Sequence, residues 1–175
     1  MADSTPGAGP PETAGDELVI ARTFAARREL VWQAWTEPER LARWWGPKGY
    51  AIAVVRFELR PGGTLLYRLR QPDGTEMWGK FVYREIAAPE RLSFVSSFAD
   101  QDGHTVRAPF NPDWPLEILN TLTLHEQNGA TALTLRGEPI NATADERRAF
   151  REWHESVQQG FAGTFEQLAD YLAEA

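Results

Sequence analysis

Residues 143–173 read TADERRAFREWHESVQQGFAGTFEQLADYLA. Phe150, Trp153, Val157, Phe161, Thr164, Leu168 and Leu172 recur at steps of three or four, which makes one apolar stripe along a helix. Thr143 stands where an N-cap belongs, and Glu146 holds the capping-box position three residues on. A helix is therefore expected over residues 144–173, reaching roughly 45 Å if unbroken at about 1.5 Å per residue. Gly160 and Gly163 lie in its middle, each costing about 1 kcal/mol against alanine. They point either to close helix–sheet packing or, equally, to a bend or to room for a ligand against the backbone.

Upstream of this helix, over residues 51–138, the period is two. Val55, Phe57 and Leu59 alternate with Arg56 and Glu58, and Leu65, Tyr67 and Leu69 alternate with Arg68 and Arg70. Leu92, Phe94 and Phe98 form another such face, as do Leu116, Ile118, Leu122 and Leu124. Turn signals separate these runs, the strongest being Asn128-Gly129, a two-residue hairpin signature. Strands so close in sequence and joined by tight turns run antiparallel. Residues 100–115, with Pro109, Pro112 and Pro115, read as a loop across the surface or a rim. Before the strand region come a short strand over residues 17–24 and two short helices over residues 26–36 and 38–44. Trp44-Trp45-Gly46-Pro47 ends the second of these. The fold class is α+β: a curved antiparallel sheet of six or seven strands wrapped around a long C-terminal helix, with two short helices after the first strand. One helix cannot fill a concave sheet, so the arrangement leaves interior space.

The chain has 175 residues, 42% hydrophobic and 25% charged. A chain of this length buries about 70% of its unfolded surface, so it needs no cross-link to hold a core. The cysteine count is zero, which excludes disulfides, thiolate zinc sites and cysteine nucleophiles. With 25 acidic against 18 basic residues the formal net charge is −7, which disfavours a nucleic-acid partner. Neither a signal peptide nor a stretch long enough to span a membrane is recognised, so a cytoplasmic protein is expected. Residues 1–15 are rich in Pro, Gly, Ala, Ser and Thr and read as a disordered tail ahead of a single domain over residues 16–175.

Four runs carry a resemblance: ELVWQAWTEPERLARWWGP (29–47), FELRPGGTLLYRLRQPDG (57–74), EIAAPERLSFVSSF (85–98) and GFAGTFEQLADYL (160–172). Together they resemble the activator of heat-shock protein 90 ATPase homologue-like group of the START-like, or SRPBCC, superfamily, across about residues 17–173. The resemblance implies the helix-grip fold shared with birch-pollen allergen and a cavity for a hydrophobic molecule between sheet and helix. Lipid carriers, aromatic polyketide cyclases, self-sacrificing resistance proteins and co-chaperones belong to that superfamily. Its motifs are mainly structural, and a fold does not settle a function.

Candidate site residues follow from which side chains point inward. Trp153, Val157 and Phe161 face the sheet from the long helix, and Trp114 lies in the proline-rich loop where a cavity mouth would be. Phe94 belongs to an inward apolar face. Tyr67, Ser96 and Asn120 fall on the inward parity of their strands and need polar partners there. Trp78 joins them, although Gly79 beside it invites a bulge that would reverse the parity of Trp78 and Phe81. His154 shares the helix face of Phe150 and Val157 and is a weak catalytic candidate. His104 and His125 read as solvated. No spacing supports a metal, and no glycine-rich loop supports a nucleotide cofactor.

Burying about 300 Å² of apolar ligand gives near 7 kcal/mol at roughly 25 cal/mol/Å². Association costs of at least about 4 kcal/mol reduce that to weak or moderate binding unless polar contacts add to it. The expected function is non-catalytic binding of a small hydrophobic or aromatic molecule. The alternatives are a polyketide cyclase-like or hydrolase-like enzyme using the same cavity, with His154 or Tyr67 as proton donor, and a co-chaperone-type interaction domain. A weak homodimer or a protein partner is compatible with the same surface.

Overall fold

In a computed structural model, residues 16–175 are described; the tail expected over residues 1–15 lies outside them. The elements in chain order are β1 (Leu18–Phe24), α1 (Arg28–Thr36), α2 (Pro38–Leu41), β2 (Ala51–Phe57), β3 (Thr64–Arg70), β4 (Glu76–Ala87) and β5 (Arg91–Ala99). They continue with β6 (Thr105–Val106), β7 (Ile118–Gln127), β8 (Ala130–Pro139), α3 (Ala144–Glu152) and α4 (His154–Glu174). Seven strands lie side by side in the order β1-β8-β7-β5-β4-β3-β2, and the two-residue β6 pairs off this path with β5. Every pairing is antiparallel. The curved antiparallel sheet around a C-terminal helix expected from the alternation of period is the one observed, and it is the helix-grip architecture that the resemblance implies. The short β6 adds a ladder inside the segment that reads as loop, because Val106 and Thr105 pair with Phe98 and Ala99.

Local chemistry explains the joints. Asn128 and Gly129 take φ of 55° and 79° between paired Gln127 and Ala130, the left-handed pair of a two-residue hairpin. Thr143 caps α3 as read: its Oγ1 accepts from the Glu146 amide at 3.1 Å, and Glu146 Oε1 accepts from the Thr143 amide at 2.9 Å. Gly46 has φ of 104°, and a Cβ there would meet Leu69 Cδ2 at 2.8 Å. Its carbonyl accepts from Thr164 Oγ1 at 3.1 Å and Gln167 Nε2 at 2.7 Å, so the Trp-Trp-Gly-Pro turn ties α2 to α4.

The core lies between α4 and the concave face. Phe165, Leu168 and Leu172 meet Phe24, Val31, Trp35, Trp44, Phe81 and Phe94 there. Trp35 is fully buried, edge-on to Trp44 at 4.9 Å between ring centroids. Phe81 stacks on Phe94 at 4.1 Å. A second, smaller cluster of Leu18, Ala108, Trp114 and Phe150 sits under α3.

Three local expectations are corrected. The register of β2 shifts between Val54 and Arg56, so Val54 packs on the core while Val55 is exposed; a bulge reverses parity at the residue it inserts. No bulge occurs at Gly79, which pairs in regular register with Tyr67 and Phe98; the irregularity in β4 falls between Tyr83 and Glu85. Phe81 therefore keeps its inward parity and Trp78 takes the opposite one. The long helix is interrupted once, at Trp153, rather than near its glycines. Gly160 is exposed, and a Cβ at Gly160 or Gly163 would meet nothing within 4 Å. Neither glycine serves close packing, the helix runs unbroken past both, and neither borders the cavity described below. Among the described residues no helix is long and apolar enough to cross a membrane.

Candidate functional site

Where the two core clusters meet, the packing fails to close. A cavity of about 200 Å³ lies between the inner face of the sheet and the α3–α4 junction, partly open to solvent. A dry apolar cavity of about 150 Å³ is enough to take benzene, so the space suits a molecule built on one aromatic ring. Strand alternation supplies most of its wall. Tyr67 and Leu69 come from β3, Met77, Gly79 and Phe81 from β4, Phe94, Ser96 and Phe98 from β5. Ile118 and Asn120 of β7 and Leu135 and Gly137 of β8 complete the sheet side. Leu18 and Ile20 of β1, Phe150 of α3 and Val157 and Phe161 of α4 close it from the other edge and the helices.

Of the residues expected at a ligand site, Tyr67, Trp78, Phe94, Ser96, Trp114, Asn120, Val157 and Phe161 all border this cavity. Trp78 does so from the parity opposite to Phe81, opposite Ala99 in the register. Trp153 does not border it. The interruption between α3 and α4 takes Trp153 out of the inward row and stacks its ring on Phe110 at 5.2 Å, part of it in solvent. His154 is also off the wall: its ring lies edge-on to Phe150 at 5.0 Å, and its buried Nε2 has no partner among the described residues. His104 and His125 are exposed, as expected.

Sequence reading missed Trp45, which contacts Phe81 at 5.4 Å, Phe161 at 6.0 Å and Tyr67 at 6.3 Å and so joins helix to sheet across the cavity. The signal was the Trp44-Trp45 pair itself. Two adjacent indoles before a glycine turn cannot both enter one core. Trp44 does, donating from Nε1 to the Ala34 carbonyl at 2.9 Å, which leaves Trp45 at its border.

Polar groups on the wall are few. Asn120 Nδ2 donates to Ser96 Oγ at 2.9 Å, to the Ile118 carbonyl at 3.1 Å and to the Phe94 carbonyl at 3.5 Å. Tyr67 lies across Gly79, where a Cβ would fall 2.5 Å from its hydroxyl oxygen. Desolvation pushes the Tyr67 hydroxyl above its ordinary pKa, against a smaller opposing influence from Trp45, so the phenol stays neutral. Part of its ring remains accessible, facing the cavity. Among the described residues that line the space none is charged, and Tyr67 is the one titratable group.

The mouth is held by ion pairs. Arg107 Nη1 reaches Glu146 Oε2 at 2.5 Å and the Trp114 carbonyl at 3.2 Å, which fixes the loop against α3. Trp114 thereby packs on Phe150 at 5.4 Å. Arg147 and Arg151 of α3 both hold the fully buried carboxylate of Asp16, Arg147 at 2.9 Å, and so pin the chain where β1 begins. Asp100, Asp102 and His104 come together on the surface, but the Asp100 carboxylate is occupied in closing its own turn. It accepts from the Asp102 and His104 amides at 2.9 Å each, and these bonds, with burial opposing, hold it below the usual carboxylate range.

The model of the family described as Activator of Hsp90 ATPase homolog 1-like protein matches residues 25–173. No curated protein is significantly similar to the chain. Among solved structures, protein Ms6760 from Mycobacterium smegmatis is 29% identical, with 91% of this chain and 92% of that one covered and a TM-score of 0.73. A protein from Arthrobacter aurescens is 26% identical, with 93% and 89% covered and a TM-score of 0.77. DynU16, from the dynemicin biosynthetic locus, is 21% identical over 90% of this chain and 47% of its own, with a TM-score of 0.61, a likeness of fold alone. With the helix-grip fold and a family-model match over residues 25–173, the chain belongs to the Activator of Hsp90 ATPase homolog 1-like family.

Proposed function

We propose that this protein binds a small hydrophobic or aromatic molecule in the cavity between sheet and C-terminal helix, without transforming it. The observation that carries the reading is the cavity itself: about 200 Å³, walled by aromatic and aliphatic side chains, with no charged group among the described lining residues. Apolar surface left unpacked inside a domain costs stability, and a ligand that fills it restores contacts to the lining atoms.

Catalysis finds less support. Acid–base chemistry needs a titratable group near working pH within reach of the substrate. Tyr67 is pushed away from that range, and His154 lies off the wall. Ser96 has an amide rather than a base as its hydrogen-bond neighbour, so nothing there activates its hydroxyl. A surface-interaction role would call for a contiguous exposed apolar patch. Among the exposed large apolar residues, Phe110 and Trp153 stack on each other at the mouth.

Melting in the presence of p-cresol or p-xylene tests the proposal. Binding to the folded state alone raises the midpoint with ligand concentration, by about 2.7 kcal/mol of stability at a hundredfold excess over Kd. Fluorescence of Trp45, Trp78 and Trp114 on the wall should change over the same range. A midpoint that stays fixed up to the solubility limit of both compounds removes the reading.

A further inference from the structure

Asn120 is buried, with 8% of its surface accessible, yet it uses only half of its hydrogen-bonding capacity. A primary amide offers two N–H donors and an oxygen with two lone pairs. The orientation of this amide is not free. The Ile118 and Phe94 carbonyls can only accept, so the group that faces them at 3.1 and 3.5 Å must be the nitrogen. Ser96 Oγ accepts from the same nitrogen at 2.9 Å and lies 3.5 Å from the Ile118 carbonyl, the acceptor for its own proton. That leaves Oδ1, which receives no donor among the described residues.

The space beside Oδ1 is kept open by Gly137, the residue opposite Asn120 in the β7–β8 register. Both residues border the cavity. A Cβ on Gly137 would stand 3.5 Å from Oδ1 and 3.6 Å from Ile118 Cγ2, ordinary contact that would cover the oxygen without strain. Oδ1 is reached from the cavity, and a ligand that covers it without offering a donor strips its hydration and gives no bond in return. A charged ligand group would find no counter-ion on this wall and would lose its hydration.

We infer that the cavity selects a neutral, ring-sized molecule carrying one O–H or N–H donor, of the phenol or aromatic-amine type, whose donor is received by Asn120 Oδ1 in the space left by Gly137. The inference rests on the proposed binding role and adds the class of ligand to it. It excludes carboxylates and phosphates as occupants, because the ligand must supply the missing proton and carry no charge.

The test compares p-cresol with p-xylene, which share a shape and differ by hydroxyl against methyl, and adds p-toluate as the charged analogue. Dissociation constants are measured by NMR titration on the wild type, on Asn120→Leu and on Gly137→Ala. The second variant keeps every bond of the polar network and guards against a failure of the first to fold. In the wild type p-cresol should bind at least as tightly as p-xylene despite its greater hydration, and p-toluate should not bind. In either variant the ratio of the two constants should move toward p-xylene by roughly tenfold, the worth of one buried hydrogen bond. A movement smaller than about threefold, or binding of p-toluate, overturns the inference while the cavity role stands. If neither neutral probe binds the wild type, the cavity role falls and the inference goes with it.

Discussion

Phe161 and Phe165 lie one turn apart on α4 with ring centroids 5.5 Å apart, but their surroundings differ. Phe165 is buried against Phe24, Trp35 and Trp44, while Phe161 borders the cavity. Phe165→Ala should therefore cost about 3–5 kcal/mol in urea unfolding, as deletion of a packed ring does. Phe161→Ala should cost clearly less, because part of its ring has no protein contact to lose. Equal losses at the two positions would mean that the cavity is closed in solution. Gly160→Ala should raise stability by up to about 1 kcal/mol, since the helical position is exposed and a Cβ meets nothing there. A drop would show a neighbour at that site. At this scale much was legible in the chain: parity placed Tyr67, Ser96 and Asn120 on one inner face, and helical spacing did the same for Val157 and Phe161. Trp153 was not legible. Helical spacing counts every residue as if the helix ran on, and here the row is broken at Trp153 itself.

At the scale of elements, α3 is held to the rest of the domain by the apolar cluster around Phe150 and by ion pairs. Burial acts to raise the Glu146 carboxyl, but the Thr143 amide and then the Arg107 guanidinium outweigh it and hold the pKa below the ordinary range. A carboxyl depressed on folding stabilises fully above its unfolded value, about 4.3, and loses that contribution as pH falls through the folded value. Glu146→Gln should thus lower stability at neutral pH and flatten its fall between about pH 5 and pH 3. Melting midpoints of both proteins across that range check it; parallel curves would show that Glu146 does not titrate with folding. The capping box that joins Glu146 to Thr143 could be read from spacing alone. Its second bond, to Arg107 across 39 positions of chain, could not, since periodicity carries no information about long-range ion pairs. Bulges behaved likewise. Gly79 looked like the site for one and is regular, because its missing Cβ makes room for the Tyr67 ring instead. The bulge in β2 sets Val55 outside, with no glycine to signal it.

For the whole molecule, the change of period at both ends of the strand region pointed to a curved antiparallel sheet of six or seven strands around one helix, while the order of the strands came only with the structure. The cavity follows from that geometry: two core clusters, one under α4 and one under α3, are both too small to fill the concave sheet where they meet. The arrangement of elements could indicate that such a space exists, but not its volume, its lack of charged lining or its closure by Trp45 and Trp114. Those depend on turns and loop anchors that no local pattern encodes. The most direct measurement is a set of NOE contacts between the ring protons of p-cresol and the methyl groups of the labelled protein. Contacts are expected to Met77, Ile118, Leu135 and Val157, which border the cavity, and none to Val31 or Leu168, which are packed in the core. Contacts confined to Val55, Val106 and Leu116 on the exposed surface would contradict binding in the cavity.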